Sequence, residues 1–78
     1  MVKVEDIIAL IGEIESLKDK VKSLDPSASV YEQGIDSLDM LSVFLAIQEK
    51  YGIDIPDEDI PNLTSIKDIV EYINDRKG

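Results

Sequence analysis

Histidine, cysteine and tryptophan are all missing from this chain. Without histidine it lacks the usual general base near neutrality, and without cysteine it lacks the usual nucleophilic thiol. The usual soft metal ligands go with them, and a serine nucleophile with no histidine to activate it is a poor catalyst. The composition therefore points away from an enzyme. No disulfide framework is possible and nothing points to secretion. No apolar run approaches the length of a membrane span, and Met1 to Asp6 does not read as a signal peptide. A cytoplasmic monomer with no stable membrane association is expected. Aromatics are scarce as well: Tyr31, Phe44, Tyr51 and Tyr72 are the four. The core must be built mostly from isoleucine, leucine and valine.

What is present fits one small domain spanning residues 1–78. That is near the size where a single core is only marginally adequate. A hydrophobic fraction of 44% suits a folded chain despite 32% charged residues. The net charge of −9 is unevenly spread, for residues 32–59 hold eight acids against Lys50 alone. Such a surface repels nucleic acid and anionic lipid and steers toward basic patches on partner proteins. Solubility alone would also favour acids, but not their clustering beside one motif.

Apolar positions at Ile7, Ile8, Leu10, Ile11, Ile14, Leu17, Val21 and Leu24 recur at three- and four-residue steps. They predict one amphipathic helix from near Val4 to just before Asp25 and Pro26, with Gly12 tolerated inside it. Lys18, Lys20 and Lys22 then fall in its last turns, where they favour the negative end of the helix dipole. Asp25 to Ile35 reads as a long loop, anchored by Val30, Tyr31 and Ile35. A second helix is expected to start at Asp36 as N-cap, with Asp39 completing a shortened capping box, and to end at Gly52. Its wide apolar face would comprise Leu38, Leu41, Phe44, Leu45, Ile47 and Tyr51. Ile53 to Pro56 reads as extended, and Asp57 to Ile60 as one acidic helical turn stopped by Pro61. Thr64 or Ser65 would cap a last helix ending near Asp75. The expected fold is all-α: a small four-helix bundle of three longer helices and one short one, with the long loop between the first two.

The stretch Gly34-Ile35-Asp36-Ser37-Leu38-Asp39 sits at the mouth of the second helix. Ser37 at the first helical position would project its hydroxyl where free N–H groups and the positive dipole end favour an attached phosphate. Gly34 lets the incoming chain turn sharply and leaves room for an approaching enzyme, while Leu38 is expected to point inward. Asp36 and Asp39 would repel a phosphate but suit a basic modifying enzyme and its metal ion. A serine near a helix start is also commonly structural, and its chemistry alone leaves both readings open.

Nearly the whole chain resembles a stand-alone acyl carrier protein. The resemblance rests on the Asp36-Ser37-Leu38-Asp39 motif after the loop and the Ile55-Pro56-Asp57-Glu58-Asp59 segment. The final Thr64 to Ile73 run, with Tyr72-Ile73 at family spacing, completes it. It implies that Ser37 receives 4′-phosphopantetheine from coenzyme A through a magnesium-dependent phosphopantetheinyl transferase. The prosthetic thiol, in a chain with none of its own, would then carry acyl groups as thioesters for fatty-acid, lipid or polyketide-type biosynthesis. The resemblance further implies docking of acyl-loading and acyl-transfer enzymes with basic patches onto Asp36, Asp39, Glu49, Asp57, Glu58 and Asp59. An acyl chain would shelter among Phe44, Leu45, Ile55, Leu63 and Ile69, each of which ordinary core packing would also explain.

Four positions depart from the family pattern. Ser42 and Gln48 stand where fatty-acid carriers usually show glutamate, Lys50 reverses a charge, and Gln33 replaces a leucine before the glycine. They lead us to expect a specialised carrier rather than the housekeeping one, while Asp36 before the serine favours acyl over aminoacyl cargo. One rival reading is an acidic interaction module that is never modified. A calcium loop starting at Asp57 is a weaker rival. It would place Pro61 at its fifth position, Asn62 where glycine is required and Asp68 where a bidentate glutamate belongs. No resident metal is expected.

Overall fold

The computed structural model describes residues 1–77. Three α-helices carry the fold: α1 (Val4–Gly12), α2 (Ser37–Tyr51) and α3 (Ile66–Lys77). Single 3-10 turns lie at Val21–Ser23, Tyr31–Gln33 and Ile60–Asn62. The architecture is all-α, as expected, but the acidic stretch forms a turn and a 3-10 segment rather than a fourth α-helix. Pro61 lies inside that segment and does not stop it, because a 3-10 turn this short needs no N–H from its proline.

One helix was expected from Val4 to Leu24, and here the sequence misleads. The α-helix ends at Gly12, and the chain continues in tighter turns, with Glu13 N–H donating to Leu10 O (3.2 Å) and Ile14 N–H to Ile11 O (3.1 Å). The apolar spacing still does its work: Leu17 is fully buried, and Val21 folds back over Gly12. A β-carbon on Gly12 would stand 3.4 Å from a Val21 methyl, an ordinary packing contact, so Val21 is seated directly on this turn. A straight helix would have carried Leu17 and Val21 past the end of the core.

The connection from Glu13 to Asp36 is therefore longer than expected, and it is well tied. Val30 is fully buried and its N–H donates to Thr64 O at 2.8 Å, while Lys67 N–H donates to Pro26 O at 3.0 Å. Ile35 is buried too, but Tyr31 stays 37% exposed and is not the anchor expected. Gln33 explains its own departure from the family pattern. Its amide nitrogen donates to the carbonyls of Asp25, Ala28 and Ser29, and its oxygen accepts from Asp25 N–H at 2.6 Å. A leucine could satisfy none of these loop groups.

All three helices share one core. Ile7, Leu10 and Ile11 of α1 meet Met40, Val43, Phe44 and Ile47 of α2 and Ile66, Ile69 and Ile73 of α3. Ser65 is the cap of the last helix, one of the two residues expected: its Oγ accepts Asp68 N–H (3.1 Å), while Asp68 in return accepts Ser65 N–H (3.3 Å). Gly52, in the left-handed conformation at φ 65°, ends α2 as expected. Asn74 clasps the N-terminal strand-like lead-in through both backbone groups of Val2, at 2.8 and 3.0 Å.

Candidate functional site

Three features of the sequence converge at the start of α2. Gly34 takes φ 91°, a left-handed turn that strains any side chain, and nothing lies within 4 Å of where a β-carbon would stand. Ile35 is buried directly after it, so the turn is pulled against the core and the next residues are forced out. Asp36 then caps the helix, its carboxylate accepting Leu38 N–H at 3.1 Å. With Asp36 as the cap, Ser37 is left at the first helical position, exposed, its hydroxyl donating only a long 3.4 Å bond to Asp36 Oδ1.

The expected capping box is not formed. Asp39 turns instead to the segment after α1, where it accepts the Ser16 hydroxyl at 3.1 Å. The same segment sends Lys20, whose ammonium donates to Gly34 O. Lys18 is taken up by Glu15 at 3.0 Å. None of these lysines lies at the end of an α-helix, so the dipole role expected for them does not apply.

The expected apolar face of α2 holds for Phe44 and Ile47 but not for its three leucines. Met40, Val43, Phe44 and Ile47 face the core, whereas Leu38, Leu41 and Leu45 are 71%, 46% and 61% exposed. At 100° per residue the two sets lie roughly 140° apart around the helix. Leu38 therefore does not point inward, and Leu45 does not join Phe44, Ile55, Leu63 and Ile69, which are all buried together in the core. The leucine stripe begins one residue after Ser37 and shares its face with exposed Glu49. Sequence reasoning missed it by counting every leucine as core. The signal was available: two apolar sets on opposite sides of one helix cannot both be buried by neighbours on one side.

The remaining acids divide. Asp57 and Glu58 are exposed on their turn. Asp59 is engaged by α3, accepting the Tyr72 hydroxyl at 2.7 Å and the Arg76 guanidinium at 3.2 Å, with that guanidinium 4.7 Å above the Tyr72 ring. Burial, and then the bond to Asp59, push the Tyr72 phenol above its ordinary value of 10.0, with Arg76 opposing. Gln48 is also engaged: it donates to Phe44 O (3.3 Å) and accepts Ile55 N–H (3.0 Å), tying α2 to the segment after it. A depression of about 420 Å³ lies between the 3-10 segment and α3, lined by Asn62, Leu63, Asp68, Glu71, Tyr72 and Asp75. Of the expected acyl-pocket residues it includes Leu63 alone. Among the described residues no group of three or more aspartates and glutamates is arranged to hold a metal ion. Nor is any helix among them long and apolar enough to cross a membrane.

Residues 5–73 match the family model described as "Phosphopantetheine attachment site". The chain belongs to the acyl carrier protein family. It is 39% identical over 74 residues to the "Acyl carrier protein" of Helicobacter pylori strain G27, covering 94% of this chain and 92% of that one. Against the protein of that name from Campylobacter hominis the identity is 39% over 71 residues, covering 91% and 85%. Against the "Putative acyl carrier protein, mitochondrial" of Schizosaccharomyces pombe it is 34% over 67 residues, covering 86% and 60%. As an acyl carrier protein the chain is a carrier and not an enzyme, and its cofactor is 4′-phosphopantetheine. It works with a phosphopantetheinyl transferase and with acyl-handling enzymes. The unmodified interaction module is disfavoured by the same match.

Proposed function

We propose that Ser37 is the residue to which 4′-phosphopantetheine is joined, and that residues 1–78 act as one cytoplasmic, monomeric carrier domain. The observation that carries this is the division of labour at the mouth of α2. Asp36 satisfies the helix start, so the exposed Ser37 hydroxyl is not consumed as a cap and remains available to a transferase. The group fits the site: the chain bends away at Gly34 with open space beside it, and the bound arm supplies the thiol that the chain lacks. In this reading Ile35 and Asp36 orient the hydroxyl outward, and the 3-10 segment at Ile60–Asn62 takes the place of the short fourth helix of the bundle.

Docking on α2 and the acidic turn is part of the same proposal, with Asp36, Glu49, Asp57 and Glu58 meeting a basic partner patch and Asp39 and Asp59 contributing less because each already has a partner within the chain. Leu38, Leu41 and Leu45 add an apolar strip to that surface. Phe44, Ile55, Leu63 and Ile69 remain our candidates for sheltering the acyl chain, since all four are buried together in the apolar core. The neutral Ser42 and the reversed charge at Lys50 favour a specialised carrier over the housekeeping one.

The test is incubation with coenzyme A, magnesium and a broad-specificity phosphopantetheinyl transferase, followed by intact mass. One phosphopantetheine should be added to the wild type and none to Ser37→Ala. Labelling of Ser37→Ala would remove the assignment.

A further inference from the structure

Lys20 makes a contact that a surface lysine rarely needs. Its ammonium donates to the carbonyl of Gly34, a neutral acceptor, in an exposed position three residues before Ser37. Among the described lysines and arginines it alone bonds to the 34–39 stretch, although that stretch holds Asp36 and Asp39. Its place is set by the fold rather than by its own side chain. Leu17 is fully buried and Val21 is seated on Gly12, so the intervening turn is carried up beside the start of α2. The break in α1 is thus what delivers a cation to this end of α2.

A phosphate joined to Ser37 would need one. Helix starts favour anions through free N–H groups, but here Leu38 N–H is already taken by the Asp36 carboxylate. Asp36 and Asp39 also set negative charge on either side of Ser37 in the chain, opposing the dipole. Three peptide units separate Gly34 from Ser37, a span of at most about 11 Å. A lysine's flexible stem with three rotatable donors can change partners across such a distance without backbone movement. An ammonium also binds a phosphate oxygen more strongly than a neutral carbonyl.

We propose that Lys20 is the counter-ion of the phosphodiester in the modified protein, leaving Gly34 O for a phosphate oxygen once the arm is attached. This rests on Ser37 being the attachment residue. In the unmodified chain Lys20 instead steadies the Gly34 turn that presents the hydroxyl.

The experiment compares unmodified and phosphopantetheinylated forms of the wild type, Lys20→Met and Lys20→Arg, each checked by intact mass. If no form gains the arm, it is the Ser37 reading that falls. With the arm in place, modification should raise Tm by roughly 2–5 °C more in the wild type than in Lys20→Met at low salt. Lys20→Arg should keep the gain, and 0.5 M NaCl should remove it. Equal losses of Tm in both forms of Lys20→Met would overturn the proposal, because Lys20 would then only brace the loop. A readout on the wild type alone guards against a variant that does not fold. The side-chain 15Nζ resonance of Lys20 should shift on modification while that of Lys22 does not; an unmoved Lys20 signal would equally sink the idea.

Discussion

Leu45 and Phe44 are neighbours in sequence with opposite fates, 61% and 1% exposed. Phe44→Ala should cost about 3–5 kcal/mol through lost burial and the cavity left behind. A chain of this size has only roughly 4–12 kcal/mol in hand, so that variant should lose a large share of its stability. Leu45→Ala should stay within about 0.5 kcal/mol of wild type. Urea unfolding of the two variants checks the register of α2 directly, and equal losses would show that Leu45 is packed after all. If the leucine strip takes part in docking, Leu45→Ala should still slow acyl transfer from a partner enzyme. Loss of transfer without loss of stability is the signature expected.

Between elements, the tie from the acidic turn to α3 decides which acids are free. Asp59 holds Tyr72 and Arg76, so Asp59→Asn should lower Tm, whereas Glu58→Gln should not lower it and should slow encounters with basic partners, more so at low salt. Tyr72→Phe removes one hydrogen bond to a carboxylate and should cost about 1 kcal/mol. The Tyr72 phenol is raised above 10.0, which means that folding favours its protonated, donating form. That stabilisation is complete below the unfolded value and is lost as pH rises through the higher folded one. The stability gap between wild type and Tyr72→Phe should therefore be flat from about pH 6 to 9 and close above pH 10. A gap that widens there would contradict the bond. The same logic revises the docking helix. Gln48 binds Phe44 O and Ile55 N–H, so Gln48→Glu would set a charge against a carbonyl and is expected to destabilise the connection after α2. A gain in elongation by a fatty-acid ketosynthase should come from Ser42→Glu with Lys50→Glu. If the unchanged protein already matches a standard fatty-acid carrier in that assay, it is not specialised.

The whole molecule carries a charge of −9, and among the described residues just two ion pairs, Lys18 with Glu15 and Arg76 with Asp59, offset any of it directly. Most of the acids between 32 and 59 face solvent. Repulsion among them should be relieved by screening, so Tm should rise with added NaCl and further with magnesium. A flat or falling curve would mean that the acids do not repel in the folded state.

The all-helical class was legible in the sequence. So were the ends of α2, with Asp36 as its cap and Gly52 as its stop, and a cap for the last helix at Ser65. Each depends on residues within four positions of one another, and such local chemistry is written along the chain. The exposed Ser37 follows from the same local rules once Asp36 takes the cap. Tertiary structure alone decided the rest. The periodicity from Ile7 to Leu24 is as compatible with a continuous helix as with one that breaks, and the break is seen only in the folded chain, where Leu17 is buried and Val21 returns to Gly12. The leucine stripe of α2 and its Met40, Val43, Phe44 and Ile47 face are both apolar, and packing with α1 and α3 settled which side is buried. Asp59 and Gln48 read as free surface groups until Tyr72, Arg76 and Ile55, thirteen, seventeen and seven residues away, are brought to them. Sequence determines what each residue can do with its near neighbours; which distant groups it meets depends on how the core closes.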